Sequence, residues 1–165
     1  MSRFALGFTP KTVTTTLIPQ GNGTAIGNMT ALGGLAAAFD GVPSQASASG
    51  AGIGTSVNGF GNTIGKNWGA GVVHLVTKAV IYGPNDANIN GGGGGCNFKM
   101  QGSTDNSTWT DLTGVLAFPT GSSQSVTLLK SAITVTAAYQ YHRMNFSGNG
   151  TNGLFVAEVQ FYEDL

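Results

Sequence analysis

Short apolar-rich segments alternate with Gly, Asn and Ser along most of the chain. Residues 12–18 (TVTTTLI) are β-branched and partly alternating, and residues 72–82 (VVHLVTKAVIY) read as a long strand or a strand pair. In 96–102 (CNFKMQG), Cys96, Phe98 and Met100 share one parity, which sends them to one face of a strand. Further strands are predicted over 125–129 (SVTLL), 132–137 (AITVTA), 139–146 (YQYHRMNF) and 154–162 (LFVAEVQFY). Helical periodicity is confined to 29–39 (MTALGGLAAAF), where Gly33 and Gly34 reduce the expectation to a short helical turn. Two stretches read as loops. Residues 41–67 hold seven glycines, and residues 83–95 (GPNDANINGGGGG) end in the run Gly91 to Gly95, which has no side chain to pack. Short strands punctuated by turn residues predict an all-β sandwich or jelly roll. The main domain is expected over 25–165, behind an extended N-terminal arm, residues 1–24.

Composition narrows the function. The chain has 165 residues, 41% of them hydrophobic, enough for one well-buried core. Only 8% are charged, with seven basic against seven acidic residues. No cluster of Lys and Arg is available to neutralise phosphates, so nucleic-acid binding is not expected. No apolar run is long enough to cross a membrane as a helix. Cys96 is the single cysteine, so no internal disulfide can form. The first residues (MSRFALGFTPKTV) lack the apolar stretch of a secretory signal, so synthesis without export is expected.

Chemistry-bearing motifs are scarce. Neither a zinc-protease H-E-x-x-H, nor a nucleophile elbow, nor a P-loop, nor a C-x-x-C occurs. The two histidines, His74 and His142, fall within predicted strands and read as surface or partly buried strand residues. Alternation puts His142 on the face opposite Tyr141 and Arg143. Cys96 reads as a buried small hydrophobe. Arg143, in an otherwise apolar strand, is expected to pair with Asp40, Asp111 or Glu158. In FKMQGSTDNSTWTDL (98–112), Ser103 to Thr108 supply a hairpin turn, Asp105-Asn106 tolerate a positive φ, and Trp109 and Leu112 are expected to return to the core. The hairpin is assigned no ligand role, and an enzyme is not expected.

Five segments in order resemble the discoidin, or coagulation-factor type C, family of galactose-binding-like jelly rolls. They are AAAFDGVPS (36–44), Trp68 ahead of the strand 72–82, the hairpin 98–112, YQYHRMNF (139–146) and AEVQFYE (157–163). The resemblance covers about three quarters of the chain. It implies that Asp40 and Glu158 meet and help to hold a structural calcium ion, with backbone carbonyls of the early loop as further ligands; no other cofactor is implied. It also implies that sugars are met by loops at one end of the sandwich. There, Asn58, Phe60, Asn62, Asn67 and Trp68 in the first loop, and Asn85, Asp86 and Asn88 in the second, are the candidate carbohydrate contacts, supplying amides for hydroxyls and an aromatic plate for a sugar ring. An equally good account is that these Asn and Gly residues are there to make turns.

A low-charge, Gly/Thr/Asn/Ser-rich β-protein without disulfides or an export signal fits a bacteriophage virion component: a head decoration, a head fibre or spike, or a tail protein. The expected partners are other virion proteins, copies of the same chain and host-cell surface glycans. The alternative is a stand-alone lectin or carbohydrate-binding module with no assembly role.

Overall fold

A computed structural model describes residues 12–52, 61–89, 96–134, 137–148 and 153–165. Thirteen strands lie among them: β1 (Thr15–Leu17), β2 (Thr24–Gly27), β3 (Ala31–Leu32), β4 (Ala51–Gly52), β5 (Asn62–Asn67), β6 (Val76–Tyr82), β7 (Cys96–Ser103), β8 (Thr110–Asp111), β9 (Leu116–Phe118), β10 (Ser125–Leu128), β11 (Tyr141–Gly148), β12 (Phe155–Val156) and β13 (Glu158–Asp164). One sheet has the order β1-β13-β6-β10; the second runs β2-β5-β11-β7-β8, with β9 also on β7; a small third sheet is β12-β4-β3. All pairings between these strands are antiparallel. The expected all-β sandwich is what forms.

The core lies between the two larger sheets. Alternation along β7 buries Cys96, Phe98 and Met100, and alternation along β11 buries His142, Met144 and Phe146. Opposite them, Ala79 and Ile81 of β6 and Val159 and Phe161 of β13 are buried. The helical turn expected near 29–39 is a 3-10 turn, Leu35–Phe39, which buries Ala38 and Phe39. Phe39 stacks near Phe161, with ring centroids 6.4 Å apart.

Several boundaries differ from expectation. Residues 12–24 are not a free arm: β1 pairs with β13, Ile18 is 1% exposed, and its N–H bonds Phe161 O at 2.9 Å. The expected boundary at residue 25 therefore falls inside β2, while residues 1–11 lie outside the described residues. The long strand expected over 72–82 begins only at Val76; before it, His74 bridges Tyr139 as an isolated pair. In place of a strand over 132–137, the chain makes a 3-10 turn, Lys130–Ala132, and Ile133 and Thr134 follow without strand pairing. β5 arises inside a stretch read as loop. Its sequence, NTIGKN, carries a single large apolar residue, yet it is clamped between β2 and β11. Gly65 makes that close approach possible: a Cβ there would fall 2.1 Å from His142 O.

Candidate functional site

The two residues predicted to meet do meet. Asp40 ends the 3-10 turn and Glu158 begins β13, and the Gly41 N–H donates to Glu158 Oε1 at 3.2 Å. Glu158 is fully buried. Burial first, then the nearby Asp40 charge, pushes its carboxyl up to about 7. Gln20 Nε2 also donates to Glu158 Oε1, at 2.6 Å, while Lys66 Nζ donates to Gln20 O at 2.6 Å. Lys66 is 3% exposed, and burial lowers its pKa against the raising effect of Glu158. Asp40 Oδ1 accepts from the Val42 N–H at 2.9 Å. Two backbone carbonyls in this corner accept from one amide: Gln45 Nε2 donates to Ala37 O at 2.8 Å and to Ala157 O at 2.5 Å. No group of three or more His, Cys, Asp or Glu side chains able to hold a metal occurs among the described residues. Hydrogen-bond donors aimed inward do not fit a hard cation, which requires about 6–8 converging oxygens.

The carbohydrate candidates are scattered. Asn62 and Trp68 lie at opposite ends of β5, about 20 Å apart at strand rise. Trp68 packs edge-on to His74, at 4.8 Å between ring centroids, near the start of β6. The loop carrying Asn85, Asp86 and Asn88 leaves the other end of β6, after Tyr82. Trp68 is a core residue, 5% exposed, with its indole N–H donated to His142 Nδ1 at 2.8 Å. It offers no plate to a sugar. Asn62 is also buried, at 4%. Asp86 accepts from the Ser47 N–H at 2.7 Å, and Asn88 Oδ1 accepts from the Gly121 N–H. Asn67 Oδ1 caps the Gly69 N–H at 3.0 Å. These side chains hold turns, the second of the two readings their sequence allowed. Asn85 is exposed and borders a cleft of ≈ 220 Å³ with Tyr82, Gln124 and Ser125. Asn58, Phe60 and Gly91 to Gly95 lie outside the described residues.

A different cleft does gather sugar-binding chemistry. Ile26, Gly27, Thr63, Asn106, Trp109 and Arg143 line ≈ 270 Å³ on the outer face of the second sheet. Trp109 does not return to the core as expected; only Leu112 does, at 1% exposure. Trp109 is half-buried beneath Arg143, whose guanidinium carbon lies 3.7 Å from the indole centroid. Register puts Arg143 opposite Gln101 on one side and Gly65 on the other. Gln101 Oε1 accepts from Arg143 Nε at 2.8 Å, Gln101 Nε2 donates to Asp111 Oδ1 at 2.7 Å, and Lys99 Nζ donates to Asp111 Oδ2 at 2.6 Å. Arg143 therefore reaches Asp111 through Gln101 and makes none of the direct carboxylate pairs expected of it. The hairpin tip is fixed by Asp105 Oδ1, which accepts from the Ser107 and Thr108 N–H groups at 2.8 Å each. Those bonds hold the Asp105 carboxyl far below the usual range. Asn106 sits at φ 61. The usable signal in the sequence was outward parity: Gln101 and Arg143 alternate with Met100 and Met144.

Two other reactive side chains are buried, while His74 Nδ1 lies 2.8 Å from Glu163 Oε2. His142 is fully buried, and burial drives its pKa down to about 3. Burial raises the Cys96 thiol to about 12.

No protein-family model matches the chain. No curated protein sequence matches it either. Solved structures share its fold at low identity. The family 32 carbohydrate-binding module of C. perfringens NanJ, solved with galactose, superposes with a TM-score of 0.64 at 17% identity over 91% of this chain and 100% of that one. The F5/8 type C domain of a Bacteroides fragilis protein gives 0.65 at 13% identity over 90% and 96%. The lectin domain of lectinolysin, solved with the Lewis b antigen, gives 0.60 at 15% identity over 88% and 96%. The chain has the discoidin-like sandwich that its sequence segments resemble.

Proposed function

We propose that this chain is a non-enzymatic glycan-binding module that serves adhesion, displayed on a virion surface. The cleft at Trp109 carries the reading. Trp109, Arg143, Asn106 and Thr63 line one space, with the guanidinium over one face of the indole, and these residue types suit a sugar's C–H groups and hydroxyls. The structural likeness to modules solved with galactose and with Lewis b supports a glycan as the ligand class. Binding without turnover is supported by the state of the residues that could do chemistry: His142 is buried and neutral, and Cys96 is buried as a thiol.

Titrating the protein with galactose and with Lewis b oligosaccharide, while following tryptophan emission, tests the site. Trp109→Ala should weaken binding at least about fivefold, since an aromatic contact is worth about 1 kcal/mol or more. Binding by Trp109→Ala as tight as the parent's would remove the cleft from consideration.

The virion setting is supported by the low charge and by Val72, Val73 and Leu75, exposed side by side at 44, 53 and 40%. On the alternative reading, a stand-alone lectin, the chain works without assembling.

A further inference from the structure

The corner where Asp40 and Glu158 meet contains a side chain that glycan recognition does not explain. Gln45 turns inward and is only 9% exposed. Its Nε2 lies between two backbone carbonyls, Ala37 O and Ala157 O. Carbonyl oxygens only accept hydrogen bonds, so the amide atom between them is the NH2 group, and the flipped carboxamide would oppose oxygen to oxygen. Ala37 lies in the 3-10 turn ahead of Asp40, and Ala157 directly precedes Glu158. The two carbonyls therefore converge beside two carboxylates, and buried acceptors left without an electropositive partner are costly.

Two kinds of group meet that need: a divalent cation, or a donor held in register. A calcium ion would require the carbonyls to be free as ligands at about 2.3–2.6 Å. Here both are engaged by one amide. One oxygen of each carboxylate is engaged too. Glu158 Oε1 accepts from Gln20 Nε2 and the Gly41 N–H, and Asp40 Oδ1 accepts from the Val42 N–H. Lys66, bonded to Gln20 O, adds a buried positive charge whose field reaches Glu158. Glu158 Oε2 is a buried atom in this corner without a hydrogen-bond partner.

We infer that the Gln45 carboxamide takes the place of a cation in this chain, so that the early loop and the last strand are clamped without metal. The same residue extends the clamp: Gln45 O accepts from the Asn85 N–H at 3.0 Å and so ties down the loop after β6.

Thermal unfolding of the full chain, in excess EDTA and again in millimolar Ca²⁺, tests this directly. The parent should melt at the same temperature in both. A rise of about 5 °C or more with Ca²⁺ would overturn the inference, because a ligand that binds only the folded state must raise Tm. Gln45→Glu replaces the donor with an oxygen and adds a third carboxylate. It should melt several degrees lower than the parent in EDTA, and Ca²⁺ should restore much of the loss. Should Gln45→Glu match the parent in EDTA, the amide does not do the clamping and the inference fails. If that variant does not fold at all in EDTA, the melting of the parent with and without Ca²⁺ still decides.

Discussion

His142 and Glu158 are both fully buried and titrate in opposite directions. His142 has a folded pKa of about 3, below the ordinary histidine value of 6.5, because burial disfavours the imidazolium. The unfolded state then binds the extra proton, so stability is lost as pH falls from 6.5 toward 3. Glu158 has a folded pKa of about 7, above the ordinary glutamate value of 4.5, because burial and Asp40 disfavour the carboxylate. The folded state then binds the extra proton, so stability is gained as pH falls from about 7 to 4.5. Between 6.5 and 4.5 the two slopes, each at most about 1.4 kcal/mol per pH unit, oppose each other. Denaturant unfolding across that range should show a shallow dependence in the parent. Glu158→Gln should expose a steep loss of stability toward acid, and an unchanged profile would mean that Glu158 is already ionised in the folded state. Parity had placed His142 on the face opposite Arg143, and the residue was expected at the surface or only partly buried, whereas it is fully buried. Its bond to Trp68, which turns that indole from a sugar plate into a core strut, joins residues 74 positions apart and has no trace in local pattern.

At the scale of elements, β5 shows what patterning misses. Strands such as β7 and β11 announce themselves because every second residue is large and apolar. β5 has Ile64 alone, with Gly65 where a side chain would collide and Lys66 turned inward over the Phe39 ring, 4.8 Å from its centroid. Partners on both edges make it a strand. Gly65→Ala should therefore cost at least about 2 kcal/mol in urea unfolding, since a Cβ would press on His142 O at 2.1 Å and on Arg143 at 2.7 Å. Gly114→Ala, with nothing within 4 Å, should lie within about 0.5 kcal/mol of the parent. Equal losses at the two glycines would mean that chain entropy, and not the close contact of β5 with β11, sets the cost. The predicted strand over 132–137 fails for the converse reason: its β-branched residues fit a strand, but no described strand pairs with Ile133 or Thr134. Thr134 N–H instead bonds Leu112 O at 2.8 Å.

Across the whole molecule, the small number of charges and the exposed Val72, Val73 and Leu75 bear on assembly. If these residues seat a neighbouring virion subunit or a second copy, light scattering of the full chain should show a concentration-dependent rise in mass. Replacing all three with Ser should abolish that rise while leaving galactose titrations unchanged. A parent that stays monomeric at high concentration would favour the stand-alone lectin.

Alternation and turn chemistry determined the all-β sandwich, the parity of β7 and β11 and the hairpin tip at Asp105-Asn106, and the family resemblance implied the meeting of Asp40 with Glu158. These are carried by neighbours in sequence or by a recognisable segment order. Tertiary structure alone decided that Trp68 is core and Trp109 is surface, that Asn67 and Asn88 hold turns, and that Arg143, Trp109, Asn106 and Thr63 share a cleft. It also decided that Gln45 bridges Ala37 and Ala157. Each of these depends on strand registers that bring distant residues within a few ångströms, and a linear pattern does not encode register.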